Sequence, residues 1–288
     1  MQKKFKLLEQ KIASDEKTFS DIVPEANKMI RWFGDTPSKT DFSIIYLHGF
    51  SASRQEISPV TERVADLLGA NVFYTRLAGH GRSEDAMAEA TVEAWKLDAE
   101  KAVEIAKNIG HEVVLISTST GATLATWLAT QAISDDVVAS VMISPNFGIA
   151  NRTGELVRWP LGLKFAKLVS GDYRSFEPKN DLHRLYWTER YPMEALVPMI
   201  KLVDEIDEMD KSSITVPQIL IYSPDDSVVN VEKIESAAKE FTSSNTQLSR
   251  FTLSEDEGQH LLAGDACSPG SNDAMVELIH NYLLNVIK

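Results

Sequence analysis

Short apolar runs rich in valine, isoleucine and leucine alternate with amphipathic stretches along most of this chain. The apolar runs are typical of buried strands, and the amphipathic stretches carry apolar side chains at helical spacing. Strands are predicted at 28–33, 42–47, 71–75, 112–116, 137–143, 216–222 and 247–253. Helices are predicted at 56–68, 91–108, 122–132, 231–241 and 273–286. This order predicts an α/β fold, in which helices cover both faces of a mostly parallel sheet.

The alternation stops between residues 147 and 214, where aromatic and methionine side chains accumulate among prolines without a clear strand. We interpret 147–214 as a helical cap inserted into a core that is formed by residues 1–146 and 215–288. Residues 1–40 are expected to form a helical and edge-strand extension of this core. An insertion after the strand at 137–143 would lie over the carboxyl edge of the sheet.

The amino-terminal extension begins with an amphipathic pattern. Phe5, Leu8 and Ile12 fall on one helical face among several lysines. We expect this helix to dock on its own domain through that face, and the alternative is that it lies on a membrane surface.

The strand at 112–116 leads into a turn of small and polar residues, Ser117-Thr118-Ser119-Thr120-Gly121, which is followed by an Ala/Leu-rich helix. A serine at the tip of such a turn is exposed at the carboxyl edge of the sheet, beside the helix amino terminus. The turn brings strand and helix so close that its flanking positions must be small. Gly121 meets this need two residues after Ser119, and Ser117 occupies the preceding position, where glycine is usual.

A serine hydroxyl becomes a nucleophile when a base lies within hydrogen-bond reach and an acid orients that base. Later strands of a doubly wound sheet bring residues to the same edge. Asp226 follows the strand at 216–222, and His260 lies in the loop after the strand at 247–253. The order along the chain is therefore serine, aspartate, histidine, with each residue after its own strand. This is one of the known chain orders of a catalytic triad. Ser117 is an alternative nucleophile and Asp225 is an alternative acid.

From about Ile44 to its end the chain resembles the α/β hydrolases, and it is most similar to bacterial carboxylesterases and monoacylglycerol-lipase-like hydrolases. Four features carry the resemblance: His48-Gly49-Phe50, Leu77 to Gly81 with Ala78 where proline is common, the turn Ser117 to Gly121, and the loops that contain Asp226-x-x-Val229 and Gly258 to His260. The spacing to Val229 favours Asp226 over Asp225 in this resemblance.

The resemblance implies an α/β-hydrolase fold and an acyl-enzyme mechanism. Ser119 would attack the acyl carbon, His260 would take and return the proton, and Asp226 would hold the imidazole tautomer. The backbone N–H groups of Phe50 and Thr120 would form the oxyanion hole. His48 and His80 are expected to hold their loops through hydrogen bonds.

The implied substrate is a small ester with a short-to-medium apolar acyl group. Most aromatic residues of the cap are expected to form its own core, with Trp159 or Phe165 facing Ser119. The same machinery serves thioesterases, amidases and C–C hydrolases, and a further alternative is a binding protein that keeps the fold without catalysis.

Composition narrows the remaining classes of function. The formal net charge of −13 disfavours nucleic acid as a partner. Cys267 is the single cysteine, so no intrachain disulfide forms.

No stretch has the length and apolarity of a membrane span or a signal peptide, and we expect a cytoplasmic protein. The chain contains neither a HExxH motif nor paired cysteines, and Gly79-His80-Gly81 lacks the lysine of a phosphate-binding loop, so we expect no metal and no cofactor.

Overall fold

The computed structural model describes residues 2–150, 161–243 and 245–287. Its strands are β1 Met29–Arg31, β2 Thr40–Leu47, β3 Asn71–Tyr74, β4 Gly110–Thr118, β5 Val137–Ile143, β6 Tyr173–Ser175, β7 Arg190–Pro192, β8 Gln218–Tyr222 and β9 Thr246–Arg250. Its helices are α1 Gln2–Glu16, α2 Val60–Leu68, α3 Val92–Ile109, α4 Thr120–Leu128, α5 Gly162–Ser170, α6 Asp181–Tyr186, α7 Leu196–Glu208, α8 Val231–Glu240 and α9 Asn272–Val286.

Seven of the strands form one sheet in the order β1-β3-β2-β4-β5-β8-β9. The edge strand β1 is antiparallel to β3, and every other neighbouring pair is parallel. The predicted fold class is therefore confirmed. Because β4, β8 and β9 run in the same direction, the loops after all three strands meet at one edge of the sheet.

The two faces of the sheet carry two separate apolar layers, and alternate residues of β4 enter each of them. Val113 and Leu115 pack in the layer that contains residues of α3, α4 and α7. Val114 and Ile116 pack in the layer that contains residues of α2 and α9. Burial on both faces is why the central strands read as continuous apolar runs in the sequence.

The helix predicted over 56–68 begins later than the sequence indicated. Residues Arg54–Ile57 form a separate 3-10 turn, and α2 starts at Val60. Pro59 lies between the two; proline lacks an N–H group and disfavours helical conformation in the residue before it. The predicted end is confirmed, because Gly69 closes α2 in the left-handed conformation, at φ 64°.

The amino-terminal helix α1 docks on the sheet, as the sequence predicted. Phe5 and Ile12 are buried, and the ring of Phe5 lies 5.0 Å from that of Trp32. At the end of α1 the carboxylate of Glu16 accepts hydrogen bonds from two nitrogens of the buried Arg76 guanidinium, at 2.7 and 2.8 Å. The extension is thereby joined to the loop that follows β3.

Residues 161–214 contain two short strands that the sequence did not predict. β6 and β7 pair antiparallel, and each is only three residues long, which is too short for a visible alternation of apolar and polar positions. The helix α7 packs in the same apolar layer as α3 and α4, so the carboxyl part of the expected cap contributes to the main core. The boundaries 147–214 stay a prediction.

The buried Glu16–Arg76 pair gives a prediction about stability. Replacing Glu16 with alanine leaves a buried guanidinium without its counter-ion, so we expect the free energy of unfolding to fall by about 3–5 kcal/mol. The matched control is Asp273→Ala, which breaks the exposed pair between Asp273 and Arg63 and should change the free energy by about 0–1 kcal/mol. Urea denaturation measures both, and equal small losses would contradict the assigned role of the buried pair.

Candidate active site

Ser119 occupies the turn between β4 and α4 in a backbone conformation that L-residues rarely adopt, with φ 53° and ψ −116°. Its N–H group donates to the Ile143 carbonyl at 2.9 Å, and its own carbonyl accepts from the N–H of Asn146 at 3.2 Å. The neighbouring strand β5 and the residues after it therefore hold the strained turn in place.

Gly121 shows why this turn needs a small residue. A Cβ atom added at Gly121 would lie 2.1 Å from the carbonyl oxygen of Leu47, a separation that no side chain can occupy. The turn thus lies directly against the end of β2. The other flanking residue, Ser117, is buried in β4, and its hydroxyl donates to the Val141 carbonyl at 3.1 Å.

The three predicted catalytic side chains lie together and are hydrogen-bonded in series. His260 Nε2 is 3.1 Å from Ser119 Oγ, and His260 Nδ1 is 2.8 Å from Asp226 Oδ2. Because an ionised carboxylate only accepts hydrogen bonds, Nδ1 carries the proton and Nε2 is left free to accept from the serine hydroxyl. All three side chains are buried at the carboxyl edge of the sheet.

The alternatives raised from the sequence are placed differently. Asp225 is exposed, whereas Asp226 is buried and its second oxygen accepts from the N–H groups of Val228 and Val229, at 2.8 and 3.0 Å. The hydroxyl of Ser117 points to β5 rather than to His260. The geometry brings Ser119, Asp226 and His260 together and leaves Ser117 and Asp225 out.

A carboxylate that sequence reasoning missed holds the loop of His260. Asp256 Oδ2 accepts from the backbone N–H groups of His260 and Leu261, at 2.9 and 3.0 Å. Its other oxygen forms an ion pair with Lys179, from the segment expected to be the cap. The hydroxyl of Ser144 donates to the His260 carbonyl at 2.7 Å. Only an acidic run before His260 hinted at this arrangement, and such runs are usually solvated.

The loop that carries Phe50 lies against Ser119. A Cβ atom added at Gly49 would be 3.3 Å from the Cβ of Ser119. The Phe50 ring packs on Tyr191 of β7, with ring centroids 5.2 Å apart. Thr120 is the first residue of α4, where backbone N–H groups have no partner within the helix. The oxyanion role of the Phe50 and Thr120 N–H groups stays a prediction.

His48 and His80 hold loops, as predicted. His48 Nε2 accepts from the N–H of Leu77 at 3.0 Å, which joins the loop after β2 to the loop after β3. His80 Nδ1 lies 3.1 Å from the Ala78 carbonyl. Burial lowers the pKa of His48 well below its usual value and lowers the pKa of His80 to about 4, so both rings are neutral at pH 7.

Glu56 is a second buried carboxyl group that the sequence did not single out, because it falls at the start of the helix predicted over 56–68. Its Oε1 accepts from the Tyr46 hydroxyl at 2.7 Å and from the Gly49 N–H at 2.6 Å. Burial raises the pKa of Glu56 to about 8. The side chain is therefore mostly protonated at neutral pH.

Several further expectations have a bearing on the site. Trp159 lies outside the described residues, and Phe165 on α5 is 55% exposed, so its approach to Ser119 stays a prediction.

A cleft of about 210 Å³ separates the segment that contains Val23 and Ala26 from residues 184–189, and Ser119 does not line it. Within 2–150, 161–243 and 245–287, no three His, Cys, Asp or Glu side chains are arranged to hold a metal ion. In the same ranges no helix has both the length and the apolarity needed to cross a membrane.

Comparison with known families gives a match over most of the chain. The family described as serine aminopeptidase, S33, matches residues 38–263, which include the loops of Gly49, Ser119, Asp226 and His260. The chain belongs to this family of α/β hydrolases. The match begins after α1 and β1 and ends before α9. A search of curated proteins found no match.

Solved structures share the fold of this S33 family member at low sequence identity. A structure described under LipS and LipT, two metagenome-derived lipolytic enzymes, superposes with a TM-score of 0.72 at 19% identity, covering 92% of this chain and 99% of that one. A soluble variant of monoglyceride lipase from Saccharomyces cerevisiae, in complex with a substrate analog, gives 0.64 at 13% identity, covering 91% and 97%. Est1E from Butyrivibrio proteoclasticus with bound ferulic acid gives 0.61 at 18% identity, covering 91% and 95%.

The raised pKa of Glu56 gives a prediction about the pH dependence of stability in this S33 protein. The folded state keeps the Glu56 proton up to about pH 8, whereas the unfolded chain releases it near the ordinary glutamate pKa of 4.5. Between these two values the unfolded state binds fewer protons, so stability falls as the pH rises. Relative to Glu56→Gln, which cannot ionise, the wild type should lose about 1 kcal/mol per pH unit across this window and no more above it.

Urea denaturation of both proteins at several pH values between 5 and 9 measures this difference. The comparison with Glu56→Gln removes the contributions of all other titrating groups, including the buried histidines. A difference that stays constant with pH would show that Glu56 has the same proton affinity in both states.

Proposed function

We propose that this chain is a serine hydrolase that cleaves carboxylic esters through an acyl-enzyme intermediate. The observation that carries the proposal is the hydrogen-bonded series in which His260 bridges Ser119 and Asp226. Each of the three side chains follows a different strand, and all three are held by neighbouring backbone groups. Such preorganisation is what nucleophilic catalysis by serine requires.

In the proposed mechanism Ser119 Oγ attacks the ester carbonyl carbon while its proton passes to His260 Nε2. Asp226 stabilises the imidazolium that forms, through the hydrogen bond to Nδ1. The negative charge on the carbonyl oxygen is bound by the N–H groups of Phe50 and Thr120. His260 then gives the proton to the leaving alcohol, and a water molecule activated by the same imidazole releases the acid and restores Ser119.

An apolar acyl group is proposed because the loop beside Ser119 carries Phe50, which packs in an apolar cluster. The rings of Phe50 and Tyr191 pack together. The sulfur of Met199, on α7, lies 3.4 Å from the side-chain nitrogen of Asn146. The backbone N–H of Asn146 donates to the Ser119 carbonyl. The structural relatives named above include a monoglyceride lipase and lipolytic enzymes, which fits an ester with an apolar acyl group. We include in the proposal that residues 147–214 form a cap over this region.

One alternative activity has a specific basis in the family match. The matching family is described as serine aminopeptidase, S33, so hydrolysis of amide bonds by the same three residues is an alternative activity. Thioesters and C–C bonds next to a carbonyl present the same electrophilic carbon. A binding protein without catalysis is disfavoured by the intact series of hydrogen bonds, since a ligand-binding scaffold does not need an oriented base.

Covalent labelling tests the nucleophile. A fluorophosphonate probe should label the wild type at Ser119, as located by mass spectrometry, because phosphorus takes the position of the carbonyl carbon. Ser119→Ala should lose the label and about 10⁴-fold or more in kcat. Ser117→Ala is the matched control, a serine in the same turn that faces β5, and it should keep the label. Labelling that survives in Ser119→Ala would refute the assignment.

A substrate panel tests the bond and the acyl group. p-Nitrophenyl esters from acetate to laurate should show the highest kcat/KM at short to medium chain length, because the proposed substrate has an apolar acyl group of that length. Amino-acyl p-nitroanilides and acyl thioesters are the competing arms. Rates near background for all esters would reject esterase activity, and a faster anilide would favour the aminopeptidase.

A further inference from the structure

Glu56 has no part in the mechanism above, yet it lies buried beside the proposed oxyanion loop. In the described part of the chain its carboxyl group belongs to no ion pair, and it accepts hydrogen bonds from a tyrosine hydroxyl and a backbone N–H. Burying a carboxyl group without a cation is unfavourable. A hydrophobic residue would fill the same space with a smaller loss of folding free energy. The carboxyl group is therefore favoured at this position only if its acceptor oxygen is needed.

The acceptor oxygen completes a short chain of hydrogen bonds. Gly49 N–H donates to Glu56 Oε1 at 2.6 Å, and the Tyr46 hydroxyl donates to the same oxygen at 2.7 Å. Since the Tyr46 proton is used in this way, the hydroxyl of Thr118, 3.0 Å from the Tyr46 oxygen, donates to it. The network therefore runs from Gly49 through Glu56 and Tyr46 to Thr118.

Both ends of this network are next to the proposed catalytic groups in sequence. Gly49 immediately precedes Phe50, whose N–H is one proposed oxyanion donor. Thr118 immediately precedes Ser119 and lies two residues before Thr120, whose N–H is the other donor. A Cβ atom added at Gly49 would lie 3.0 Å from Glu56 Oε2 and 3.3 Å from the Cβ of Ser119. Gly49 is therefore packed between Glu56 and Ser119.

The turn that carries Glu56 also supports the loop of His260. A Cβ atom added at Gly264 would lie 2.4 Å from the Glu56 carbonyl oxygen, which explains a glycine with φ 105° at this position. The N–H of Asp265 donates to the Ser58 carbonyl at 2.8 Å. Residues 54–58 thus contact the loop of the base as well as the loop of the oxyanion donor.

We propose that Glu56 is a positioning residue that fixes the distance between the two oxyanion donors by anchoring Gly49 N–H to Tyr46 and Thr118. This inference rests on the proposed function, because it assigns a role in transition-state stabilisation. Without the acceptor oxygen, the Gly49 N–H and the Tyr46 hydroxyl lose their partner in the protein interior, and the loop shifts to find another. A shift of about 1 Å at a catalytic group can cost on the order of 10²-fold in rate.

Steady-state kinetics with the best p-nitrophenyl ester test the role. Glu56→Ala should lower kcat by about 10- to 100-fold with little change in KM, since the anchor acts on the transition state. The rate of fluorophosphonate labelling should fall in parallel. Glu56→Gln keeps a carbonyl oxygen for both donors and should restore most of the loss. Tyr46→Phe removes the hydroxyl that links Glu56 to Thr118 but leaves Gly49 N–H bonded to Glu56, and it serves as a second variant if Glu56→Ala fails to fold.

Ser43→Ala is the matched control. Ser43 is a buried polar residue of β2, like Tyr46, but its hydroxyl donates to the Ala106 carbonyl at the opposite end of the strand. It should lower stability while leaving kcat unchanged. Hydrogen–deuterium exchange of the amides of residues 48–53 reports the anchor independently of activity, and it should become faster in Glu56→Ala and Tyr46→Phe but not in Ser43→Ala.

The outcomes separate this inference from the proposed function. An active wild type whose kcat is unchanged in Glu56→Ala and Tyr46→Phe would overturn the positioning role, even if amide exchange becomes faster. Equal losses of kcat in Glu56→Ala and Glu56→Gln would overturn it too, since the acceptor oxygen would then be irrelevant. A wild type inert to every ester and to the fluorophosphonate would reject the proposed function, and the catalytic role of Glu56 with it.

Discussion

The close approach of the turn after β4 to the end of β2 is the constraint on which the site depends. Gly121 lies so near the Leu47 carbonyl that the two backbones are in contact, and this contact leaves Ser119 directly beside the loop that begins at His48. Parallel pairing of β2 with β4 sets the register of the two chain segments, from Phe42 opposite Glu112 to Leu47 opposite Ser117. Ser119 and the loop proposed to bind the oxyanion are thereby brought together by backbone geometry alone, before any side chain contributes.

The sequence allowed the sheet and the three central residues of the candidate site to be predicted, because both leave local signals. Buried parallel strands are continuous apolar runs, and residues after such strands share one edge of the sheet. Ser119, Asp226 and His260 each follow a run of this kind. That these three residues lie close together follows from the sheet topology, which the alternation of strands and helices indicates.

The supporting residues could not be predicted in this way, because their roles depend on long-range contacts. Asp256 belongs to an acidic stretch that resembles a solvated loop, and only its contacts with His260 and Lys179 distinguish it. Glu56 lies within the helix predicted over 56–68, and only the structure shows that Pro59 separates it from α2. The strands β6 and β7 were missed because a three-residue strand shows no periodicity.

The ion pair between Lys179 and Asp256 thermodynamically couples the position of the segment around Lys179 to the order of the loop that contains His260. Any conformational change that separates Lys179 from Asp256 leaves a buried carboxylate without its counter-ion, while the same carboxylate still holds the backbone of His260. Coupling of this kind is reciprocal. A molecule that stabilises the position of Lys179 beside Asp256 therefore also stabilises the ordered loop of His260, and the ordered loop favours that position of Lys179 by the same free energy.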